Sequence, residues 1–270
     1  MFSFLAIFLL SCTGGKEKSY TCSTPANAIV KTFLGIPLND SVDFIRWKLN
    51  IGANEYTLNC NYGISKANTN GFINGGKNIE LKDKVTKGKN YLHFYNGNKV
   101  LNAVQLNNDL LHLLNDDNSL MKGNGGWSYT FNSLTPLKTD NVSIIAGKTS
   151  LKDSIAFEGR TPCAYLANYP EGAICYKLKW YVIFYADPKT NKPLYYHMNG
   201  TAYRKQGGKT GSWKIRTGRN GRTIYELAEQ TDQPAMYLLK LDEGVLIFTD
   251  KNGNLLTGDE DFSYTLNRRW

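Results

Sequence analysis

The sequence predicts an all-β protein made of two tandem small antiparallel meander β-barrels, and three observations predict it. First, the stretch from Ala235 to Asn267, AMYLLKLDEGVLIFTDKNGNLLTGDEDFSYTLN, has an upstream partner from Val100 to Asn132, VLNAVQLNNDLLHLLNDDNSLMKGNGGWSYTFN. The two align without a gap: Leu106 meets Leu241, Leu120 meets Leu255, Gly123 meets Gly258, and Ser128-Tyr129-Thr130 meets Ser263-Tyr264-Thr265. A register kept over so long a run marks an internal duplication. Second, short runs alternating apolar and polar residues recur along the chain, separated by Gly, Asn, Asp and Pro. Third, no helical periodicity shows beyond the N-terminal apolar run. An open sheet would leave edges free to pair with other chains, so each meander of roughly seven strands is expected to close on itself.

Length and composition agree. A chain of 270 residues can hold two small domains, each with its own core. With 41% apolar and 13% aromatic residues it suits a folded, β-rich protein and not a disordered one. The net charge of +9 is scattered through strands and turns, which reads as a solvated surface, helped by any anionic lipid nearby. No basic stripe is interleaved with aromatic platforms, so no nucleic-acid partner is expected.

The N-terminus carries the most specific functional signal. Met1 to Leu10 is apolar but too short to span a bilayer. It ends in Leu9-Leu10-Ser11-Cys12, followed by Thr13-Gly14-Gly15, which resembles the lipobox of bacterial lipoprotein signal peptides. The resemblance implies a signal over residues 1–11 and lipidation of Cys12 as the first mature residue, although the basic start of such signals is missing. The other reading is a buried apolar N-terminal strand with a free thiol. Several acyl chains on one cysteine anchor durably. Residues 12–24, with Lys16-Glu17-Lys18-Ser19, are expected to form a polar tether. They lack the acidic run of some surface-export tags, so the expected location is the outer membrane, lipid-anchored on its periplasmic face.

Taken in order, the first barrel is expected over 25–135. Phe33-Leu34-Gly35-Ile36-Pro37 leads into Phe44 to Ile51, where Trp47, Leu49 and Ile51 alternate with Lys48 and Asn50 as in a half-buried strand. Tyr56 to Tyr62 is its hairpin partner, Asn68 to Gly76 a loop, and Asn78 to Lys82 and Tyr91 to Tyr95 two further strands. The first copy of the repeated stretch closes this half, and residues 136–154 form a linker. The second barrel, 155–270, repeats the order. Phe157-Glu158-Gly159 echoes Phe33-Leu34-Gly35, and Leu178 to Phe184 echoes Ile45 to Ile51. Asp187 to Pro193 is a loop that keeps two prolines out of the ladder. Strands follow at Tyr195 to Arg204, Gly211 to Thr217, Thr223 to Leu227, Ala235 to Leu241, Val245 to Thr249 and Phe262 to Leu266. A barrel of about eight strands can fill its interior with side chains or hold one small ligand.

Phe157-Glu158-Gly159-Arg160-Thr161-Pro162-Cys163, the following meander, and the turn from Asp250 to Gly253 resemble the NlpE-type bacterial lipoproteins, most closely over 157–268. The resemblance implies a lipocalin-like barrel and a role in copper resistance or homeostasis and in envelope stress. One departure bears on this. The family's Cys-x-x-Cys is absent, since Cys163 is followed by Ala164-Tyr165-Leu166 and the next cysteine is Cys175; in the first half Pro37 is followed by Leu38.

Cys163 and Cys175 bracket a short polar loop, and in an oxidising compartment a disulfide is expected there. The alternative is soft-metal capture, because paired thiolates suit Cu(I) or Zn. Cys22 and Cys60 form a candidate second bridge. Of the three histidines, His93, His112 and His197, His112 sits in Leu110-Leu111-His112-Leu113-Leu114 and matches Ile247, which suits a satisfied or interfacial strand residue better than a ligand. Asp250 to Asn254 lacks the bidentate Glu and flanking helices of a calcium loop and reads as a turn. Arg216, Arg219 and Arg222 read as solvated turn charge, and Trp213 and Tyr264 as barrel closure. No catalytic triad order, zinc-protease motif, P-loop or dinucleotide fingerprint is present. The expectation is a non-enzymatic envelope lipoprotein that binds or senses, in envelope stress or copper homeostasis. Its partners are the membrane, through the anchor, and a small ligand, a metal or an envelope protein. Two other classes stay open, a lipocalin-like carrier of a small apolar ligand and an inhibitor or adhesion module.

Overall fold

The computed structural model describes residues 17–137, 153–163, 175–201, 203, 207–228 and 235–269. Cys12 with the expected signal, residues 138–152 of the linker expected over 136–154, and the loop 164–174 lie outside the described residues; Ser154, at the end of that linker, begins a strand.

Sixteen strands close two antiparallel barrels in plain meander order. The first holds β1 (Lys18–Pro25), β2 (Phe44–Ile51), β3 (Glu55–Gly63), β4 (Lys77–Lys87), β5 (Tyr91–Asn96), β6 (Lys99–Gln105), β7 (Leu110–Leu114) and β8 (Thr130–Ser133), with β8 returning to β1. The second holds β9 (Ser154–Thr161), β10 (Leu178–Ala186), β11 (Pro193–Gly200), β12 (Lys209–Thr217), β13 (Thr223–Leu227), β14 (Met236–Lys240), β15 (Val245–Thr249) and β16 (Thr265–Arg268), with β16 returning to β9. Both halves of the expected duplication are therefore present as barrels. Along β2 and β10 the alternation does what a two-residue period dictates: Trp47 and Leu49 are buried while Lys48 is exposed, and Trp180 and Val182 are buried while Lys179 is exposed.

Aromatic side chains fill the interiors. In the first barrel Trp47 meets Phe131 edge-on at 5.6 Å, and Tyr56 on β3 meets Phe94 on β5 at 5.2 Å. In the second, Trp180 on β10 reaches Phe248 on β15 at 5.3 Å, and Phe184 reaches Tyr225 on β13 at 5.2 Å. These pairs join strands that are not neighbours, so they span the lumen. Trp213 and Tyr264 are buried, and Trp213 donates its indole N–H to the Tyr185 carbonyl, as closure residues should.

Two expectations about the N-terminal region are corrected. Residues 18–24, assigned to the tether, are strand β1. Its apolar positions are largely taken by hydroxyl residues; Thr21, Ser23 and Thr24 are buried, so no hydrophobic alternation marks it. The echo between Phe33-Leu34-Gly35 and Phe157-Glu158-Gly159 does not hold either, because the first lies at the end of a helix, α1 (Ala28–Leu34), and the second lies in β9. The counterpart of β9 is β1: Trp47 donates its indole N–H to Thr24 Oγ1 at 2.9 Å, as Trp180 does to Thr161 Oγ1 at 2.8 Å. At seven residues, α1 is too short to show a period. Its ends are legible, since the Asn27 side chain accepts from the Val30 N–H and Gly35 turns left-handed at φ 74°.

The barrels meet along β6 to β8 and β14 to β16. Here β7 and β15 are buried on both faces, and Leu106, Leu110, Leu114 and Leu120 share one core with Leu241, Val245 and Leu255. Equivalent residues face each other across this seam. Ser128 Oγ lies 2.6 Å from Ser263 Oγ and Thr130 Oγ1 lies 2.9 Å from Thr265 Oγ1, both pairs 135 residues apart. Asn132 Oδ1 accepts from the Gly258 N–H at 2.9 Å, and Asn267 Oδ1 accepts from the Gly123 N–H at 2.8 Å. Reciprocal contacts of this kind define an isologous, pseudo-two-fold interface inside one chain. A Cβ on Gly123 or Gly258 would run into the Trp127 or Phe262 carbonyl oxygen, so the matched glycines are required by close approach.

Asn132 also donates to the Asp259 and Phe262 carbonyls, so Asn132→Ala leaves more buried groups unmet than Asn267→Ala. Each substitution is expected to cost about 1–3 kcal/mol, the Asn132 change the more, in urea unfolding of the intact chain.

Candidate functional site

Aromatic rings cross both lumens, and among the described residues the concave surface that combines half-buried charge with open space is the cleft above the seam. A cavity of about 190 Å³ lies there, walled by Phe44 and Trp127 of the first barrel and Arg160, Lys177 and Phe262 of the second. It shares Asn68, Thr69, Asn70, Lys177 and Lys179 with a wider groove of about 660 Å³ that runs onto Tyr176, Tyr181, Asn199 and Thr201. A third concavity, about 720 Å³ on the outer face of β2 to β4, is lined by groups that meet one another, such as Asn59 with Glu80. A recess of about 240 Å³ opens at the end of the first barrel away from α1, against Tyr20, Ile51, Leu92 and Leu111.

Each wall of the cleft has a local cause. The start of β2 sets Phe44 in a stacked column, 4.1 Å from Phe72 and 4.6 Å from Trp127. The end of β9 lays the Arg160 guanidinium 5.2 Å over the Trp127 ring, and Lys177, just before β10, stands 5.6 Å over Phe262. The loop from β3 to β4 crosses to the second barrel through Asn70, whose amide donates to Asp261 Oδ2 at 2.8 Å while its carbonyl accepts from Lys177 Nζ at 3.1 Å. Asp261 is also the ion-pair partner of Arg46.

The charge balance is uneven. Burial lowers the pKa of the Arg160 guanidinium, and its Nε has no hydrogen-bond partner. Burial also lowers that of the Lys177 ammonium; Arg160 and Lys179 push it the same way, and Asp261 opposes them. Among the described residues Asp261 is the one acid lining this cavity and Arg46 already pairs with it, so no described carboxylate pairs with the half-buried Arg160. Unmet cationic donors beside open space can hold an anion. The halves have diverged at this spot: with Trp47 matched to Trp180, Lys177 stands where the first barrel has Phe44, and with Thr24 matched to Thr161, Arg160 stands where it has Ser23.

Cys163 and Cys175 are joined as a disulfide with a Cα–Cα distance of 6.0 Å, between β9 and β10, a connection that in chain order matches the one between β1 and β2. Neither sulfur is then a thiolate. Cys22 and Cys60 are free and buried, which corrects the second candidate bridge. Both pair in register with Trp47, so a whole strand separates them. At about 10 Å their Cα atoms exceed the span of about 4.4–6.8 Å that a disulfide bridges. His93 Nδ1 lies 2.7 Å from Asn102 Oδ1, and His197 Nδ1 lies 3.0 Å from Thr210 Oγ1, each across a strand pair. Among the described residues no three His, Cys, Asp or Glu side chains gather as metal ligands would. Asp250 caps its own turn, accepting from the Asn252 and Asn254 N–H groups. Arg216 pairs with Glu226, and Arg222 is buried, so this cluster is less solvated than the sequence implied.

His112 is buried in the seam. The Met121 carbonyl can only accept, so Nε2 carries the proton at 2.8 Å, and Nδ1 accepts from Thr130 Oγ1 at 2.8 Å. A chain of hydroxyls continues through Thr265 and Ser263 to Ser128. Sequence reasoning missed the cleft residues Arg160, Lys177, Lys179, Asn70 and Asp261. The available signal was a mismatch between repeats, charge in one half where the other has a ring or a hydroxyl. Comparison with family models, with curated proteins and with solved structures returns no match to this chain.

Burial lowers the His112 pKa from 6.5 to about 4. Between those values the unfolded chain takes up a proton that the folded chain does not, so stability is present above pH 6.5 and is lost as pH falls toward 4. The contribution is about 3 kcal/mol in full. His112→Ile, which installs the residue of the other repeat, is expected to be less stable at pH 7 but to lose about 2–3 kcal/mol less than the parent between pH 7 and 4.5, read by urea midpoints at the two values.

Proposed function

We propose that this protein is a non-catalytic binding or sensing protein of the cell envelope, anchored through lipid on Cys12, that takes an anionic ligand in the cleft between its barrels. The carrying observation is the half-buried Arg160, stacked on Trp127 with its Nε unmet, beside Lys177 and Lys179. The anchor rests on the lipobox-like Leu9-Leu10-Ser11-Cys12. The packed lumens favour this cleft over a carrier role, since the recess of about 240 Å³ at the barrel mouth is smaller than the roughly 300–1,000 Å³ usual for a drug-sized ligand. Copper handling at Cys163 and Cys175 would require their reduction, because a disulfide offers Cu(I) no thiolate.

Two measurements test the reading. Mass spectrometry of the mature N-terminus is expected to find Cys12 acylated; an unmodified Cys12 contradicts the anchor. Inorganic phosphate titrated into the intact chain is expected to shift amide resonances around Asn70, Trp127, Arg160 and Lys177. Arg160→Gln combined with Lys177→Met should weaken binding about tenfold or more, the loss of one to two charge-assisted contacts. Shifts elsewhere, or indifference to the double variant, contradict the site.

A further inference from the structure

The narrow cavity and the wide groove form one continuous depression of two chemical characters. The narrow end holds Arg160 and Lys177 against aromatic rings. Among the described residues no aliphatic side chain lines the wide end: Asn68, Thr69, Asn70, Asn199 and Thr201 supply amides and hydroxyls, Tyr176 and Tyr181 supply rings, and Cys175 supplies a disulfide sulfur. Tyr176, at 66% exposure, is the most exposed of the large hydrophobic side chains among the described residues. A ligand without polar groups would cover the rings and leave the amides and hydroxyls beside them unmet. A bare inorganic anion would fill the charged end and leave about 660 Å³ unused.

Resting on the reading of the cleft as an anion site, we infer that its ligand is an acidic saccharide, a sugar acid or sugar phosphate within an oligosaccharide. The carboxylate or phosphate sits at the narrow end, where Arg160 Nε donates the hydrogen bond it otherwise lacks and Lys177 and Lys179 balance the charge. The sugar hydroxyls meet the amide and hydroxyl groups of the wide end, each of which can donate or accept. A pyranose ring lays its C–H face on Tyr176, an amphipathic platform that costs little conformational entropy to order. Carboxylate and phosphate sources share this chemistry, and the probe set below separates them.

The test uses the intact chain on an array of oligosaccharides bearing uronic acids, sugar phosphates or sulfates, each beside its neutral counterpart, together with a Glu-rich peptide and inorganic phosphate. The expected result is retention of at least one acidic glycan, at least tenfold tighter than its neutral counterpart, the peptide and inorganic phosphate. Whether uronate or phosphosugar spots are retained identifies the anionic group. Arg160→Gln should weaken both the glycan and inorganic phosphate at least tenfold. Tyr176→Ala, a surface change, should weaken the glycan at least fivefold and leave inorganic phosphate unchanged. Acidic glycans bound no better than neutral ones or than the peptide, or Tyr176→Ala without effect on them, overturns the saccharide while phosphate binding lost in Arg160→Gln keeps the anion site. No anion bound at all removes both.

Discussion

The fold depends on one constraint, that two copies of the same barrel face can be buried against each other only if their polar groups satisfy one another. β7 and β15 lie under both barrels, yet the strands beside them carry Ser128, Thr130 and Asn132 and their counterparts Ser263, Thr265 and Asn267. Buried hydroxyls and amides without partners would cost several kcal/mol in total. The pseudo-two-fold arrangement removes that cost, because a hydroxyl is donor and acceptor at once and can meet its own copy. The asparagines do the same by exchange, each accepting from the glycine N–H of the other half. Symmetry is therefore the means by which a polar barrel face becomes a buried interface.

That arrangement also decides where function can differ. On the axis the halves must stay alike, and the paired Ser, Thr and Asn do. Just above it, where the interface opens to solvent, the requirement lapses. There the first barrel keeps Phe44 and Trp127 as a stacked wall while the second supplies Arg160 and Lys177. His112 is a departure inside the seam itself. It stands where the other half has Ile247; its Nδ1 accepts the hydrogen bond of Thr130 Oγ1 at the end of the hydroxyl chain and its Nε2–H donates to the Met121 carbonyl, and burial keeps it neutral in the folded state.

The sequence made the large features legible because they rest on periodicity. The ungapped match from Val100 and Ala235 placed β6 to β8 against β14 to β16, and Trp47 and Trp180 marked β2 and β10. What stayed hidden was local or spatial. β1 is a strand of Lys, Ser, Tyr, Thr, Cys and Pro, where barrel closure overrides a composition that reads as tether. α1 is fixed by its caps and not by a period. The cleft joins Asn70, Asp261 and Lys177, far apart in the chain, and only the packing of one barrel on the other brings them together.

A seam that satisfies its own polar groups welds the barrels into one cooperative unit. Differential scanning calorimetry of the intact chain, with the disulfide kept oxidised, tests it most directly. The account predicts a single transition whose calorimetric and van't Hoff enthalpies agree. Two separate transitions, or a calorimetric enthalpy about twice the van't Hoff value, would mean that the barrels unfold independently and would contradict it.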